Sequence, residues 1–264
     1  MKIVLSDPLK FNQFYTIFNN MKSITDTINI YINNEGLYTQ GLDNANISLY
    51  ECKLSKEWFD EYYNEENYDG CLGINTAILH NILSIYNSNQ IFELVIDSEL
   101  EDIDFININY INNENKNENE NKKFNKNFSI PLVNMEHNLL NITMNDHDVD
   151  LFINSDVFNE LINQLHLFDD SVEFIFKDEE IKLIASGEMG TMNTIIHYDD
   201  IIEYSAIEDI DLNQKYSLKY IKLFCNFKNL NNEMNISFID ERPMVITYNL
   251  NNDSFLKLFL APKL

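Results

Sequence analysis

The residues that could carry chemistry are few, and their spacing matches no common catalytic arrangement. The densest group of possible metal ligands is "DHDVD" (Asp146–Asp150). No glycine-rich phosphate loop occurs, and no serine stands in a nucleophile elbow. Five histidines show no spacing typical of metal ligands: His80, His137, His147, His166 and His197. We therefore expect a solvated acidic turn at Asp146–Asp150, no catalytic residue, no metal and no cofactor. A metal-dependent nuclease using the acidic clusters stays open as an alternative.

Lysines on the predicted helices could instead contact phosphate. Lys219 and Lys222 share one side of a helix, and Lys10 and Lys22 add to this set. Phosphate contacts from scattered lysines and neutral polar groups are weak and independent of sequence. Arg242 is the only arginine, which argues against base-specific recognition of DNA.

The net charge of the chain argues against such phosphate contacts. The net charge of the chain is −25, which taken alone argues against nucleic acid and favours basic partners. The cysteines Cys52, Cys71 and Cys225 are few, odd in number and far apart, which indicates free thiols in a reducing compartment. No apolar run is long enough to cross a membrane, and the opening "MKIVLSDPLKF" has no cleavage site. We expect neither a membrane partner nor a signal peptide.

Four amphipathic helices must position these lysines, because apolar residues recur three to four apart in four segments. The first helix has Asp7 as N-cap and Pro8 at its first position. The second spans roughly 76–86. The third follows Ser155 as its cap, and the fourth follows Ser217.

Most of the remaining chain alternates with period two, as in "TINIYIN", "SVEFIFKD" and "MVITYNL". The order of helices and strands occurs twice, which indicates an internal duplication in an α+β chain. We predict domains at 1–131 and 149–264, joined by a connector at 132–148. The asparagine-rich tract at 111–127 is predicted to be a solvated loop, with a binding arm as the alternative.

The helices are almost free of acidic residues. About one residue in six is acidic in the whole chain, yet the four predicted helices contain only Asp156 and Glu160. Both lie in the first turn of the third helix, where the helix dipole favours negative charge. Polar burial or asparagine-rich composition could explain this depletion. The interpretation we favour is that all four helices face one polyanion.

An apolar C-terminal stretch, "SFLKLFLAPKL" (Ser254–Leu264), is unusual in such an acidic chain. We predict that Phe255–Leu258 belongs to the last strand. Pro262 lacks an N–H group and is expected to end that strand, leaving Ala261–Leu264 to lie along the connector.

Several segments together resemble the proliferating cell nuclear antigen family of DNA sliding clamps. The resemblance extends over nearly the whole chain, apart from the length of the asparagine-rich loop. It depends on "GLYTQGLDNANISLYECKL" (Gly36–Leu54), "LGINTAILHNIL" (Leu72–Leu83), "IASGEMG" (Ile184–Gly190), "LKYIKLFC" (Leu218–Cys225) and the ending "LKLFLAPKL".

The resemblance implies a non-enzymatic processivity factor. Two similar clamp domains per chain and three chains form a ring, whose helices line the hole on the inner face of antiparallel sheets. The implied homotrimer is expected to encircle duplex DNA without sequence preference. It tethers DNA polymerase, the clamp loader and other replication and repair proteins that carry a peptide with a glutamine, an aliphatic residue and two aromatics. The expected location is the nucleus, or a cytoplasmic replication site if the source is viral. The alternative is one subunit of a checkpoint-type heterotrimeric clamp.

Three sets of residues follow as expectations. The expected DNA-facing residues are Lys10, Asn12, Thr16, Lys22, His80, Asn81, Gln164, Lys219 and Lys222. The family's partner-peptide groove maps to Leu42, Asn46, Ile47, Leu140, Ile142, Pro243, Phe259, Ala261, Pro262 and Lys263. Exposed strand edges tend to be covered, so the expected subunit interface holds Phe124, Phe128, Thr191, Thr194 and Ile196.

Overall fold

The chain forms two compact units of α+β structure, as predicted. A computed structural model describes residues 1–65, 67–97, 103–113, 124–134, 139–142, 146–177 and 180–263. Unit 1 comprises Met1–Asn44, Glu51–Leu140 and Asn251–Ser254. Unit 2 comprises Ala45–Tyr50, Asn141–Leu250 and Phe255–Leu264. The predicted boundaries at 131 and 149 stay predictions, because the connector between them is only partly described.

Four helices occupy the predicted segments: α1 (Pro8–Met21), α2 (Thr76–Leu83), α3 (Ser155–Leu165) and α4 (Leu218–Cys225). The prediction for α1 is confirmed, since the Asp7 side chain caps it and Pro8 is its first residue. Its predicted apolar face is buried: Phe11, Phe14, Ile17, Phe18 and Met21.

Two helix ends differ from the prediction. Helix α2 ends at Leu83 rather than Tyr86, and the Tyr86 ring stacks on Phe11 with 3.6 Å between ring centroids. Asn154, and not Ser155, caps α3 by accepting from the N–H groups of the helix's first turn. The Ser155 hydroxyl is used elsewhere, because it donates to the Asn231 carbonyl at 2.8 Å.

Unit 1 contains two antiparallel layers. One has the strand order β5-β1-β7-β8-β9, and the other runs β4-β3-β2-β6. The strands are β1 (Lys2–Leu5), β2 (Thr27–Asn33), β3 (Gly36–Leu42), β4 (Ser48–Ser55), β5 (Glu61–Tyr63), β6 (Gly70–Asn75), β7 (Gln90–Val95), β8 (Phe105–Asn112) and β9 (Lys126–Pro131).

Unit 2 repeats this topology. Its layers have the strand orders β14-β10-β16-β17-β18 and β13-β12-β11-β15. The strands are β10 (Val149–Asn154), β11 (Ser171–Lys177), β12 (Glu180–Gly187), β13 (Gly190–Ile196), β14 (Glu203–Ala206), β15 (Asp211–Ser217), β16 (Glu233–Phe238), β17 (Met244–Asn249) and β18 (Phe255–Leu260).

The predicted duplication therefore extends to strand order. In both units the described part has one strand, a helix, five strands, a second helix and three strands. By this correspondence β9 is equivalent to β18, and β4 is equivalent to β13. Alternating burial along β2, which has buried residues at every second position, shows how the period-two pattern supplies each core.

Candidate DNA-facing helices and partner surfaces

The helix residues of unit 1 are mostly neutral at their surface. Asn12 and Asn81 are exposed, and Lys22 is exposed just after α1. The Thr16 hydroxyl donates to the Asn12 carbonyl at 2.7 Å. Lys10 is occupied, because its ammonium group lies 2.8 Å from an Asp60 carboxylate oxygen. Unit 1 therefore offers less free positive charge than its two predicted lysines, Lys10 and Lys22, suggest.

Asp60 holds the start of α1 in place. Its carboxylate accepts from the Ser6 and Asp7 N–H groups at 2.6 and 2.8 Å, and from Lys10. Burial alone would raise the pKa of Asp60, but the hydrogen bonds from Lys10, Asp7 and Ser6 outweigh burial and lower the pKa. Asp60 therefore stays charged and keeps Lys10 paired.

His80 lies half-buried on α2, near the end of α1. Its Nδ1 atom is buried without a hydrogen-bond partner in the described part of the chain. Burial, and then the nearby positive charge of Lys22, lower the pKa of His80. The imidazole is therefore neutral at pH 7 and adds polarity rather than charge to this helix face.

The helices of unit 2 carry two lysines and two acids, whose partners differ. Lys219 is exposed and Lys222 half-buried on α4; within the described residues neither forms an ion pair. Of the two acids of α3, only Asp156 lies in the first turn, so the prediction that Glu160 lies there too was wrong. Asp156 pairs with Lys228 at 2.5 Å, and Glu160 accepts from Gln164 at 3.2 Å. Across α3 and α4 two lysines balance two acids, so this helix surface carries no excess negative charge on a strongly acidic protein.

Unit 1 holds two of the predicted groove residues. Leu42 and Leu140 are both exposed. The Gln40 amide fixes Leu140 by donating to its carbonyl at 3.3 Å and accepting from its N–H at 3.2 Å. The sequence patterns did not indicate Gln40, because its partner Leu140 is 100 residues away along the chain.

Unit 2 holds the other groove residues. Asn46, Ile47, Pro243, Ala261 and Lys263 are exposed, whereas Ile142, Phe259 and Pro262 are half-buried. Strand β18 extends through Phe259 to Leu260, and Leu264 lies outside the described residues.

Backbone contacts hold the C-terminal tail. Ala261 N–H donates to the Ile47 carbonyl at 3.4 Å, and Lys263 N–H donates to the Lys215 carbonyl at 2.7 Å. The Lys263 ammonium group also donates to Ser171 Oγ at 3.1 Å. The tail is therefore an ordered surface beside Ile47.

The predicted interface segments lie at sheet ends. β9 ends one strand order of unit 1, and β13 ends one strand order of unit 2. Phe124 is 85% exposed, Thr191 is exposed, and Phe128 and Thr194 are half-buried. Ile196 is only 7% exposed, so it can join an interface through its backbone but hardly through its side chain.

The acidic turn has structural contacts rather than a ligand set. Asp148 accepts from the Asp240 N–H at 2.7 Å, and Asp150 accepts from the Ser237 hydroxyl at 2.6 Å. His147 lies 3.1 Å from Asp150. Among the residues that the structure describes, no group of three His, Cys, Asp or Glu side chains could hold a metal ion. No helix in that part of the chain is long and apolar enough to span a membrane.

Comparison with known proteins assigns the family. The model of the proliferating cell nuclear antigen N-terminal domain matches residues 10–139, and that of the C-terminal domain matches residues 141–263. The chain is 23% identical to proliferating cell nuclear antigen from Chaetomium thermophilum over 94% of this chain and 93% of that protein. It is 23% identical to a probable DNA polymerase sliding clamp 2 of Paramecium bursaria Chlorella virus 1, over 100% and 91%. It is 25% identical to proliferating cell nuclear antigen 1 of Plasmodium falciparum (isolate 3D7), over 94% and 92%. The chain therefore belongs to the proliferating cell nuclear antigen family.

Proposed function

We propose that this chain is a DNA polymerase processivity factor that forms a homotrimeric ring around duplex DNA. The main support for the proposal is that β9 and β13 each lie at the end of a strand order. The internal repeat then indicates how these two ends would pair. Residues that flank their equivalents, β18 and β4, are hydrogen-bonded to each other within each unit. A second copy could supply the missing neighbour of β9.

The direction of this pairing also follows from the repeat. Ala261, just after β18, donates to Ile47, just before β4. At the other end of the strands, Ser55 N–H donates to the Ser254 hydroxyl oxygen at 2.9 Å. β18 and β4 are therefore antiparallel. By equivalence, Pro131 of one subunit would lie near the start of β13 in the next, and Lys126 near its end. Such head-to-tail contacts close into a ring when the rotation allows it, and three subunits follow from the family resemblance.

The helix surfaces support DNA as the ring's occupant. Lysines on α4 that form no ion pair within the described residues, and the pairing of Asp156 on α3 with Lys228, suit weak contacts with phosphate, which fix no sequence and let a ring slide. We propose the predicted DNA-facing set for this role, with Lys10 the weakest member because Asp60 occupies it.

The exposed tail supports peptide binding. We propose that Ile47, Pro243 and the tail from Phe259 onward contribute apolar surface to partner peptides with a glutamine, an aliphatic residue and two aromatics. Aromatic side chains in apolar pockets commonly supply most of the affinity at such sites. The same mode of attachment would serve polymerase, clamp loader and repair proteins at the site of DNA replication.

Light scattering on the pure chain tests the ring. We expect three times the chain mass of 31.1 kDa. A wild-type monomer at micromolar concentration would overturn the homotrimer. A trimer that forms only after addition of other clamp subunits would support the heterotrimeric checkpoint alternative instead.

Proline substitutions test the edge. Thr194→Pro and Asn193→Pro each remove one N–H from β13. Successive N–H groups point to opposite sides of a strand, so only one of the two faces the free edge. We expect folded monomers from that variant, while the other variant disturbs pairing with β12 and lowers thermal stability. Two folded variants that both remain trimeric would contradict the edge assignment.

A further inference from the structure

Helix α2 and the residues just after it carry three isoleucines on one side, here called the isoleucine stripe. Ile78, Ile82 and Ile85 are four and three positions apart, which aligns them along a helix. Ile78 and Ile85 are 39% and 42% exposed, and Ile82 is half-buried. No Asp, Glu, Lys or Arg occurs in α2. The isoleucine stripe is therefore an apolar, uncharged surface on a chain whose net charge is −25.

A second apolar row, here called the α3 stripe, extends along α3. Val157, Leu161 and Phe168 are separated by four and seven positions, so they too lie on one side of the helix. Val157 is 53% exposed, and Leu161 and Phe168 are half-buried. Gln164 lies on the same side and is exposed. Each unit therefore exposes apolar side chains along one helix.

Each stripe lies next to one of the two strands proposed for the subunit edge. In unit 1, the Lys126 ammonium group of β9 donates to the Ile85 carbonyl at 3.2 Å. In unit 2, the Phe168 ring lies beside Gly190, where β13 begins. An edge contact that joins β9 to β13 of another copy therefore brings both stripes to the same boundary.

The internal repeat shows how the same side of the helix is used in α4. The N-caps of α2 and α4 are Asn75 and Ser217, and aligning these caps pairs the two helices residue by residue. The equivalents of the isoleucine stripe are then Tyr220, Phe224 and Phe227, which are all buried. This side of the helix is therefore apolar in both units, and it is buried in α4 but exposed in α2.

Helices α1 and α3 differ in the same way. Their N-caps are Asp7 and Asn154. With these caps aligned, Val157 stands where α1 has Lys10. The α1 equivalents of the next three positions of α3 are buried, and they are Phe14 for Leu161, Ile17 for Gln164 and Met21 for Phe168. The exposed sides of α2 and α3 are thus the two whose equivalents the fold already buries.

We propose that the isoleucine stripe of α2 packs against the α3 stripe of a second copy of this chain. The contact rests on the proposed ring and adds a helix pair to the β9–β13 strand edge. It would bury apolar side chains without an ion pair, so the hydrophobic effect would stabilise it. Self-association would then persist at salt concentrations that release DNA, because salt weakens phosphate contacts far more than apolar packing.

Charged substitutions at exposed positions of the stripes test the contact. Ile78→Lys/Ile85→Lys and Val157→Glu should each raise the subunit dissociation constant by at least about 100-fold in analytical ultracentrifugation, because a buried unpaired charge loses its hydration. Ile78→Ser/Ile85→Ser should raise it by about tenfold, and this variant serves if the lysines disturb folding. The matched control is Ala77→Lys, because Ala77 is exposed on α2 but lies about 100° around the helix axis from Ile78. The control should associate like the wild type.

Combining Ile78→Lys/Ile85→Lys with Val157→Glu in one chain tests whether the two stripes meet. Every head-to-tail contact would then place lysines against a glutamate. We expect the subunit dissociation constant to fall by at least about tenfold relative to the double-lysine variant. Losses that simply add would contradict the pairing of the stripes.

Salt separates this contact from an interface held by charge. The dissociation constant of the wild-type trimer should change less than about threefold between about 0.05 and about 1 M sodium chloride. A trimer that falls apart at high salt would overturn the apolar contact.

Outcomes for the contact and for the ring are distinguishable. A wild-type trimer that is unaffected by the substitutions in both stripes overturns the contact alone and leaves the ring in place. A monomeric wild type overturns the proposed ring, and the contact with it.

Discussion

The helix pairs of the two units follow one topology but use their lysines differently. In unit 1, Lys10 lies 2.8 Å from Asp60 and serves to hold the start of α1. In unit 2, Lys219 and Lys222 have no ion pair among the described residues, while Lys228 neutralises Asp156. A lysine on the expected face of a helix is therefore available for DNA only when no local carboxylate occupies it. The comparison predicts that unit 2 supplies most of the positive charge that contacts DNA.

The largest expected effect comes from reversing charge on α4. Lys219→Glu/Lys222→Glu should reduce retention on closed circular DNA by about 100-fold at low salt, and the difference should narrow as salt rises. Lys10→Gln should change retention less than about threefold, because Asp60 already neutralises it. Ring mass by light scattering is the control for both variants. Equal losses of DNA retention in the two variants would contradict the inference that unit 2 supplies most of the positive charge.

Partner binding extends the comparison to the proposed groove. Truncation after Leu260 in unit 2 should weaken binding of a glutamine–aliphatic–diaromatic peptide by about 10- to 100-fold in titration calorimetry, because apolar lining residues are lost. Leu140→Ala/Ile142→Ala should have a similar effect, and Gln40→Ala a smaller one through loss of the Leu140 contacts. All variants should remain trimeric. Unchanged peptide affinity after truncation would place the peptide site elsewhere.

Removing the carboxylate of an ion pair should destabilise the protein more in unit 1 than in unit 2, which is the reverse of the order expected for DNA retention. Asp60→Ala leaves the Ser6 and Asp7 N–H groups and the Lys10 ammonium without their acceptor, so we expect a loss of about 2–3 kcal/mol in the free energy of unfolding. Asp156→Ala removes an exposed pair and should cost less than about 1 kcal/mol. Urea unfolding monitored by far-ultraviolet circular dichroism measures both. A larger loss from Asp156→Ala would contradict the structural role of the Asp60 pair.

The smallest effect is a pH dependence. The folded state lowers the pKa of Asp60, so its contribution is present above the unfolded pKa of about 4 and is lost as pH falls through the folded value. Wild type and Asp60→Asn should therefore differ in urea midpoint at pH 7 and converge towards pH 3. A gap that stays constant over this range would show that the charge of Asp60 is not what stabilises α1.

Local sequence patterns were sufficient to predict the helices, the main strands and the internal duplication. The spacing of Phe11, Phe14 and Phe18 predicts α1, and Asp7 with Pro8 marks its start, because capping and amphipathic periodicity involve residues within a few positions. Period-two alternation likewise located the main strands. The family followed from short motifs spread along nearly the whole chain. The predicted cap of α3 was wrong by one residue, because Asn154 and Ser155 are both suitable caps and a distant carbonyl engages the serine.

Whether a side chain is available to bind DNA or peptide depends on contacts between residues that are distant in sequence. Lys10 meets Asp60 across 50 positions, and Gln40 meets Leu140 across 100. Composition and spacing carry no signal for such pairs, because they form only when folded strands and loops approach. The sequence therefore identified which residues have the right chemistry for DNA or peptide. The tertiary structure determined that Lys10 is paired whereas Lys219 forms no ion pair within the described residues, because the Asp60 carboxylate, distant in sequence, approaches Lys10.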